Sequence, residues 1–217
     1  MITAILWDLD GTLLDTLEDL TDSVNASLSA NGMPGHSIEK IRSFVGNGMV
    51  KLIARAVPAG TSEAEETAVR EFFKTHYAVH CNDKTKPYPG IPALLDDLKK
   101  AGVKMAVVSN KPDFATKDLV GLYFGDCIGT AVGGREGVPV KPAGDMVRLA
   151  LEELGVSAEK AVYIGDSEVD VQTAQNAGMR GIFVDWGFRD ESVLRQAGAQ
   201  TVAHTAEQLR REIFSQP

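Results

Sequence analysis

The sequence has few cysteines, no long hydrophobic run and no excess of positive charge. Cys81 and Cys127 are the two cysteines, and because they lie far apart they predict neither a metal-binding pair nor a disulfide framework. This usage is typical of a reducing compartment, so we expect a cytoplasmic protein. No apolar stretch approaches the roughly 20 residues that cross a bilayer. The start of the chain lacks a basic, apolar leader, and we expect no export.

The charge balance argues against whole classes of partner. The 217 residues carry 22 Lys and Arg against 30 Asp and Glu, a formal net charge of −8. Nucleic acids and anionic membranes are therefore not expected as partners, since both attract basic surfaces. An anionic small molecule remains a suitable partner if positive charge is concentrated at its site. We expect a monomer or a homodimer.

The most informative feature of the sequence is an apolar run near its start that is followed by two aspartates. Residues 2–7 have the length and β-branched content of a buried strand. Asp8 and Asp10 follow it, and Gly11 allows the backbone to turn away. An acidic turn would explain these residues. However, buried carboxylates are costly without a cation, and ligands of α/β sheets bind at the carboxyl ends of strands.

The pattern of apolar residues along the sequence changes at residue 87. Residues 14–86 show helical spacing without a convincing strand, and Ser62 with Glu65 forms a capping box. After that, helices and short apolar runs alternate, which indicates a parallel sheet. Four glycines lie where the residue after a helix is expected, namely Gly102, Gly155, Gly178 and Gly198. We therefore predict an α/β core of residues 1–15 and 87–217, interrupted by an all-helical domain of residues 16–86. The predicted core helices are 91–101, 113–123, 143–154, 167–177, 191–197 and 205–214, and the strands after the first are 104–108, 127–132, 161–164, 180–184 and 201–203.

Three further segments carry polar residues where a predicted strand ends or a helix begins. They contribute Ser109 and Asn110, then Lys141, then Asp166 and Asp170. Each has an ordinary explanation as a turn, a solvent-facing lysine or a helix cap. Together they supply what phosphate chemistry needs, namely oxygen ligands for Mg²⁺ and a cation beside the acids.

These segments resemble the four motifs of haloacid dehalogenase-type phosphatases, and the resemblance covers the whole chain. The motifs are Asp-x-Asp-Gly-Thr-Leu-x-Asp-Thr, Ser109-Asn110, Lys141-Pro142 and Gly-Asp-Ser-x-x-Asp. Residues 45–48, 88–90 and 186–188 add similarity to the phosphoglycolate phosphatase family. The resemblance implies a Rossmann-like core with strand order 3-2-1-4-5-6 and a helical cap.

The resemblance also implies a role for the acidic residues. Asp8 is the expected nucleophile, and Asp10 is expected to protonate the leaving group and then to activate water. Mg²⁺ is expected on the Asp8 side chain, the Asp10 backbone carbonyl and Asp166. Thr12 and Asp170 are expected to support the site.

The remaining implied roles concern the substrate. Ser109, the Asn110 backbone and Lys141 are expected to hold the phosphoryl oxygens. In the cap, the expected substrate residues are Arg42, Gly46 and Asn47. Arg42 is expected to reach a substrate carboxylate, and a solvent-facing arginine is the alternative.

The expected activity is hydrolysis of a small phosphate monoester, most plausibly 2-phosphoglycolate. Asp10 argues against halide or phosphonate cleavage, because those relatives lack an acid at this position. A pyrophosphatase, a nucleotide or sugar-phosphate phosphatase, a β-phosphoglucomutase-like mutase and a catalytically silent binding protein remain alternatives.

Overall fold

The computed structural model describes residues 2–215, which divide into two compact units. The first, called the α/β unit below, comprises the residues up to Leu14 and those from Pro87 onward. The second, called the helical unit, comprises Asp15–Lys86. No helix within the described residues combines the length and apolar character needed to cross a bilayer.

The α/β unit is built on a six-stranded parallel sheet. The strands along the chain are β1 (Ala4–Trp7), β2 (Leu14–Asp15), β3 (Lys86–Pro87), β4 (Lys104–Pro112), β5 (Thr130–Gly134), β6 (Ala161–Gly165), β7 (Arg180–Val184) and β8 (Val202–Ala203). The sheet order is β5-β4-β1-β6-β7-β8, with β2 and β3 in a separate two-stranded sheet. Counted over the six core strands, this is the predicted order 3-2-1-4-5-6, and the predicted fold class is confirmed.

Strand β1 lies in the middle of the sheet because it is apolar on both faces. All four of its residues are buried. Ile5 and Trp7 pack on one side of the sheet, and Ala4 and Leu6 pack on the other. A strand buried on both faces reads as a continuous apolar run, as this one does. Asp8 therefore enters the site from a strand that has neighbours on both edges.

Helices cover both faces of this sheet. The helices of the α/β unit are α5 (Ile91–Lys100), α6 (Asp113–Phe124), α7 (Asp145–Leu154), α8 (Glu168–Asn176), α9 (Glu191–Gln196) and α10 (Ala206–Phe214). Buried residues of α5, α6 and α10 share a cluster with Ile5 and Trp7, whereas those of α7, α8 and α9 share one with Ala4 and Leu6. The unit is thus a three-layer α/β structure.

The helical unit contains four helices, α1 (Leu17–Ala30), α2 (Ile38–Phe44), α3 (Gly48–Ala56) and α4 (Glu63–His80). Ser62 caps α4, and the Glu65 carboxylate accepts the Ser62 backbone N–H at 2.9 Å, as the capping box predicts. Helix α1 packs on α4, with Val24 and Phe73 among the buried residues. The buried Asp19 carboxylate accepts backbone N–H groups from the segment after α4.

Three strand predictions were wrong in detail. Residues 14–86 were predicted without a strand, but they include β2 and the first of the two residues of β3, and both strands are too short to show an alternating pattern. Strand β4 continues to Pro112 because Pro112 pairs with Gly134 beyond an irregularity in the register. Strand β5 starts at Thr130 rather than 127, since the Cys127 N–H instead bonds to the Phe124 carbonyl at the end of α6.

Candidate active site

The site lies where the carboxyl ends of three neighbouring strands meet. Strand β1 leads into Asp8, β4 carries Ser109, and β6 leads into Asp166. Because β1 lies between β4 and β6, these ends are adjacent in space. The segment before α7 adds Lys141 to the group.

Lys141 is the cation at the centre of the site. Its ammonium group lies 2.8 Å from Asp8 Oδ1, 2.8 Å from Asp170 Oδ1 and 3.1 Å from the Tyr163 hydroxyl, and its side chain is 3% exposed. Burial alone would lower the pKa of Lys141, but the charges of Asp170 and Asp8 raise it well above its ordinary value. The lysine is therefore charged at neutral pH.

Asn110 holds the backbone from which Lys141 extends. Its Oδ1 accepts the Lys141 N–H at 2.8 Å, and its Nδ2 donates to the Lys141 carbonyl at 3.1 Å. The Asn110 side chain thus positions Lys141. The predicted contact with phosphate is one of the Asn110 backbone and does not need this side chain. Ser109 is buried nearby, and its Oγ accepts the Lys111 N–H at 3.2 Å.

Asp8 is buried beside two other carboxylates. Its Oδ1 accepts the Leu9 N–H at 2.7 Å in addition to its contact with Lys141. Burial and the charge of Asp170 raise the pKa of Asp8 well above its ordinary value, although Lys141 opposes the shift. The charged form of Asp8 therefore depends on further positive charge at the site.

Asp166 is fixed by groups from two loops. Its Oδ1 accepts the Thr12 hydroxyl at 3.1 Å, and its Oδ2 accepts the Phe188 N–H at 2.7 Å. A Cβ at Gly187 would overlap with Asp166 and with the Gly11 carbonyl, so only glycine fits there. Burial, followed by the charge of Asp170, raises the pKa of Asp166 to about 7.

Asp170 is already fully engaged by protein groups. Besides Lys141, it accepts the Tyr163 hydroxyl at 2.9 Å and the Ser167 hydroxyl at 2.6 Å. Burial would raise the pKa of Asp170, but the charge of Lys141 and these hydrogen bonds lower it. Asp170 is therefore an ionised residue that holds Lys141 in place.

The donor set suits a hard divalent cation. Carboxylate oxygens of Asp8, Asp166 and Asp170 lie within 4.8 Å of one another. Because Asp170 is taken up by Lys141, Tyr163 and Ser167, Asp8 and Asp166 are the carboxylates left to bind a cation. The ammonium group of Lys141 offsets the charge of only one of these carboxylates. An all-oxygen site with excess negative charge fits Mg²⁺, which commonly binds through one or two carboxylates and retains several waters.

Asp10 stands apart from this cluster and has its own cation. Lys111 Nζ lies 2.9 Å from Asp10 Oδ1. The Lys111 side chain is 2% exposed and that of Asp10 is 15% exposed. Sequence reasoning did not assign a role to Lys111, although its place directly after Ser109 and Asn110 was a usable signal. It also missed the role of the Phe188 N–H, although residues 186–188 were part of the family resemblance, and it assigned no role to Tyr163.

The predicted substrate residues of the cap belong to the helical unit. Arg42 lies in the last turn of α2, and Gly46 and Asn47 form the turn before α3. Asn47 Oδ1 accepts a hydrogen bond from Arg55 Nη2 at 2.7 Å, and Arg55 Nη1 donates to the Phe44 carbonyl at 2.7 Å. Arg55 therefore orders this turn, in which Gly46 has a φ of 122°.

Comparison with known proteins identifies the family. The model of the haloacid dehalogenase-like hydrolase family matches residues 5–184. The chain belongs to this family. The prediction of a hydrolase of this family is thereby confirmed.

Individual members of the family resemble the chain over nearly its whole length. The phosphoglycolate phosphatase of Caulobacter vibrioides is 34% identical over 93% of this chain and 86% of its own. The N-acetylmuramic acid 6-phosphate phosphatase of Pseudomonas aeruginosa is 31% identical over 86% of this chain and 83% of its own. The crystal structure of a proposed phosphoglycolate phosphatase from Lactobacillus delbrueckii subsp. bulgaricus is 39% identical, with a TM-score of 0.93 over 97% of this chain and 98% of that one.

Proposed function

We propose that the chain is a Mg²⁺-dependent phosphatase that hydrolyses 2-phosphoglycolate through an aspartyl-phosphate. The observation that carries the proposal is the buried Asp8–Lys141–Asp170 arrangement beside Asp166. It sets a carboxylate nucleophile against a fixed cation at the strand ends. The phosphoglycolate phosphatases among the relatives support the choice of substrate.

The first chemical step forms a bond between Asp8 and phosphorus. A carboxylate oxygen of Asp8 attacks, the P–O bond to the substrate alkoxide breaks, and the Asp10 carboxyl group donates its proton to that alkoxide. In the second step water attacks phosphorus and the Asp10 carboxylate takes its proton. Inorganic phosphate then leaves and Asp8 is regenerated.

The other residues would neutralise and orient the phosphoryl group. Lys141, Ser109 and the Asn110 backbone would bind its oxygens as charge builds up in the transition state. Asp8, Asp166 and the Asp10 carbonyl would hold Mg²⁺, which supplies the positive charge that an anionic nucleophile and an anionic substrate both require.

Sugar phosphates are a second candidate class, favoured by the similarity to the N-acetylmuramic acid 6-phosphate phosphatase. A phosphate-release screen separates the candidates. The panel would contain 2-phosphoglycolate, sugar 6-phosphates, nucleoside monophosphates and pyrophosphate, each with Mg²⁺ and with EDTA. We expect the highest kcat/KM for 2-phosphoglycolate and no turnover in EDTA. A higher kcat/KM for a sugar phosphate would overturn 2-phosphoglycolate as the proposed substrate. Conversion of a sugar phosphate to an isomer without phosphate release would identify a mutase.

A further inference from the structure

A second buried lysine next to the site has no part in the chemistry described so far. Lys111 Nζ lies 2.9 Å from Asp10 Oδ1, and the lysine side chain is 2% exposed. Burying an ammonium group is costly unless an opposite charge compensates for it. The Asp10 carboxylate provides that charge in the form that takes a proton from water, and in the protonated form Oδ1 can still accept the hydrogen bond from the Lys111 ammonium group.

The backbone of Lys111 is fixed on both sides of its Cα. Its N–H donates to Ser109 Oγ at 3.2 Å, and its carbonyl accepts the Thr116 hydroxyl at 3.2 Å. Strands β1 and β4 pair in parallel, with Trp7 opposite Val107, so Asp10, three residues past Trp7, comes close to Lys111, four residues past Val107 on β4. The contact between Lys111 and Asp10 is therefore built into the register of the sheet.

Asp10 needs such support more than Asp8 does. Asp8 is the first residue after β1, whereas Asp10 lies two residues further on, bridged to Leu14 and directly before the turn that begins at Gly11 with a φ of 89°. Proton transfer requires the donor to be about 2.6–3.2 Å from its acceptor, and a misplacement of about 1 Å can cost about a hundredfold in rate. A carboxyl group that lies beyond the end of the strand, beside a turn, meets this requirement only if something restrains its side chain.

We propose that Lys111 is a positioning residue that holds the Asp10 side chain for proton transfer. The inference rests on the proposed function. It gives each aspartate of the Asp-x-Asp pair its own lysine. Lys141 contacts Asp8 and would bind the phosphoryl group, and Lys111 contacts Asp10, the general acid.

The dependence on the leaving group tests this role. The alkoxide of 2-phosphoglycolate needs a proton as it departs, whereas the nitrophenolate of p-nitrophenyl phosphate does not. The ratio kcat/KM reports the steps up to departure of the leaving group. For Lys111→Met we expect kcat/KM to fall by about 30-fold or more with 2-phosphoglycolate and by less than about threefold with p-nitrophenyl phosphate. Asp10→Asn should show the same selectivity, and adding Lys111→Met to it should cause no further loss.

Controls separate positioning from damage to the fold. Lys117→Met removes an exposed lysine paired with Asp113 on α6 and should change neither substrate. Lys111→Arg keeps the charge and should restore part of the 2-phosphoglycolate activity. Retained p-nitrophenyl phosphate turnover shows that Lys111→Met is folded.

Two kinds of result are distinguishable. Equal losses on both substrates, or a further loss in the Asp10→Asn background, would overturn the role of Lys111 and leave the phosphatase proposal standing. A wild-type protein that hydrolyses neither phosphate would overturn the proposed function and this inference with it.

Discussion

Single residues at the end of β1 differ in what restrains them. The Asp8 carboxylate lies among buried charges that other side chains neutralise only in part. Lys141 bridges Asp8 and Asp170, so removing it leaves two buried carboxylates without their cation. The cost of breaking such a contact comes mainly from the charge left behind.

Lys141→Met should therefore destabilise the protein as well as inactivate it. We expect the free energy of unfolding to fall by about 3–5 kcal/mol in metal-free buffer, measured by urea denaturation. Lys117→Met, the exposed counterpart, should change it by less than about 0.5 kcal/mol. Similar effects from both variants would contradict the buried network.

Asp8→Asn tests the nucleophile. The amide keeps the shape of the side chain but cannot form an acyl phosphate, so turnover of 2-phosphoglycolate should fall by at least about a thousandfold. Phosphate release measures this, and Asp118→Asn on the exposed face of α6 is the matched control. Activity within about tenfold of wild type would exclude nucleophilic catalysis by Asp8.

Arg42→Ala tests recognition of the substrate carboxylate. We expect KM for 2-phosphoglycolate to rise by about tenfold, which corresponds to one charge-assisted hydrogen bond. KM for p-nitrophenyl phosphate, which has no carboxylate, should change by less than about twofold. Lys51→Ala, which removes an exposed cation from α3, should affect neither. Equal effects on both substrates would exclude this role for Arg42.

At the scale of helices and strands, the ends of elements decide local stability. Gly102, Gly155, Gly178 and Gly198 each follow a helix of the α/β unit with φ between 63° and 105°. The sequence pattern predicted a glycine with this conformation at each end. A side chain at these positions is strained even where space is free.

A pair of alanine variants isolates this effect. Gly155 has a φ of 63° and Gly121 lies within α6, and an added Cβ would meet no atom within 4 Å at either position. Gly155→Ala should lower the free energy of unfolding by about 1–2 kcal/mol. Gly121→Ala should raise it by up to about 1 kcal/mol, because alanine favours helix. Thermal or urea unfolding of both variants measures the difference. A stabilising Gly155→Ala would contradict the assigned backbone.

The sequence predicted elements well where the signals are local. The capping box of Ser62, the glycines after helices and the apolar run of β1 each depend on a few neighbouring residues. The last residues of β4 could not be predicted in this way, because Pro112 becomes part of the strand only by pairing with Gly134.

The same distinction applies to the site. Strand ends and a family resemblance predicted Asp8, Lys141 and Asp166 as functional residues, and the structure places them together. The contact of Lys111 with Asp10 depends on the register between β1 and β4, which no local pattern specifies. Partners within a site are therefore harder to predict than its members.

At the scale of the whole molecule, the acidic cluster links stability to pH and to metal. Burial raises the pKa of Asp166 from 3.8 to about 7, so the folded state keeps a proton that the unfolded chain releases above about pH 4. This contribution to stability is fully present below pH 4 and is lost as pH rises through about 7. If Asp166 holds Mg²⁺ as proposed, the metal would compete with that proton, so its apparent affinity should rise over the same range.

Thermal unfolding with EDTA and with Mg²⁺ between pH 5 and 8 measures both effects. We expect the increase in Tm caused by Mg²⁺ to grow with pH. Asp166→Asn cannot bind this proton and should show a smaller and flatter response. An Mg²⁺ effect that declines with pH, or one that Asp166→Asn leaves unchanged, would contradict the raised pKa.

The central position of β1 also has a consequence for how the protein is made. Ala4 pairs with Lys104 on one edge and with Ala161 on the other, so β1 leaves the ribosome before both of the strands that complete it. At about 5–20 residues per second, translation leaves this apolar segment unpaired for on the order of ten seconds. During that interval β1 is an exposed apolar segment that can associate with other chains, which is the kind of segment that chaperones cover. A prematurely terminated product that lacks β6 would keep one edge of β1 unpaired and would also lack Asp166.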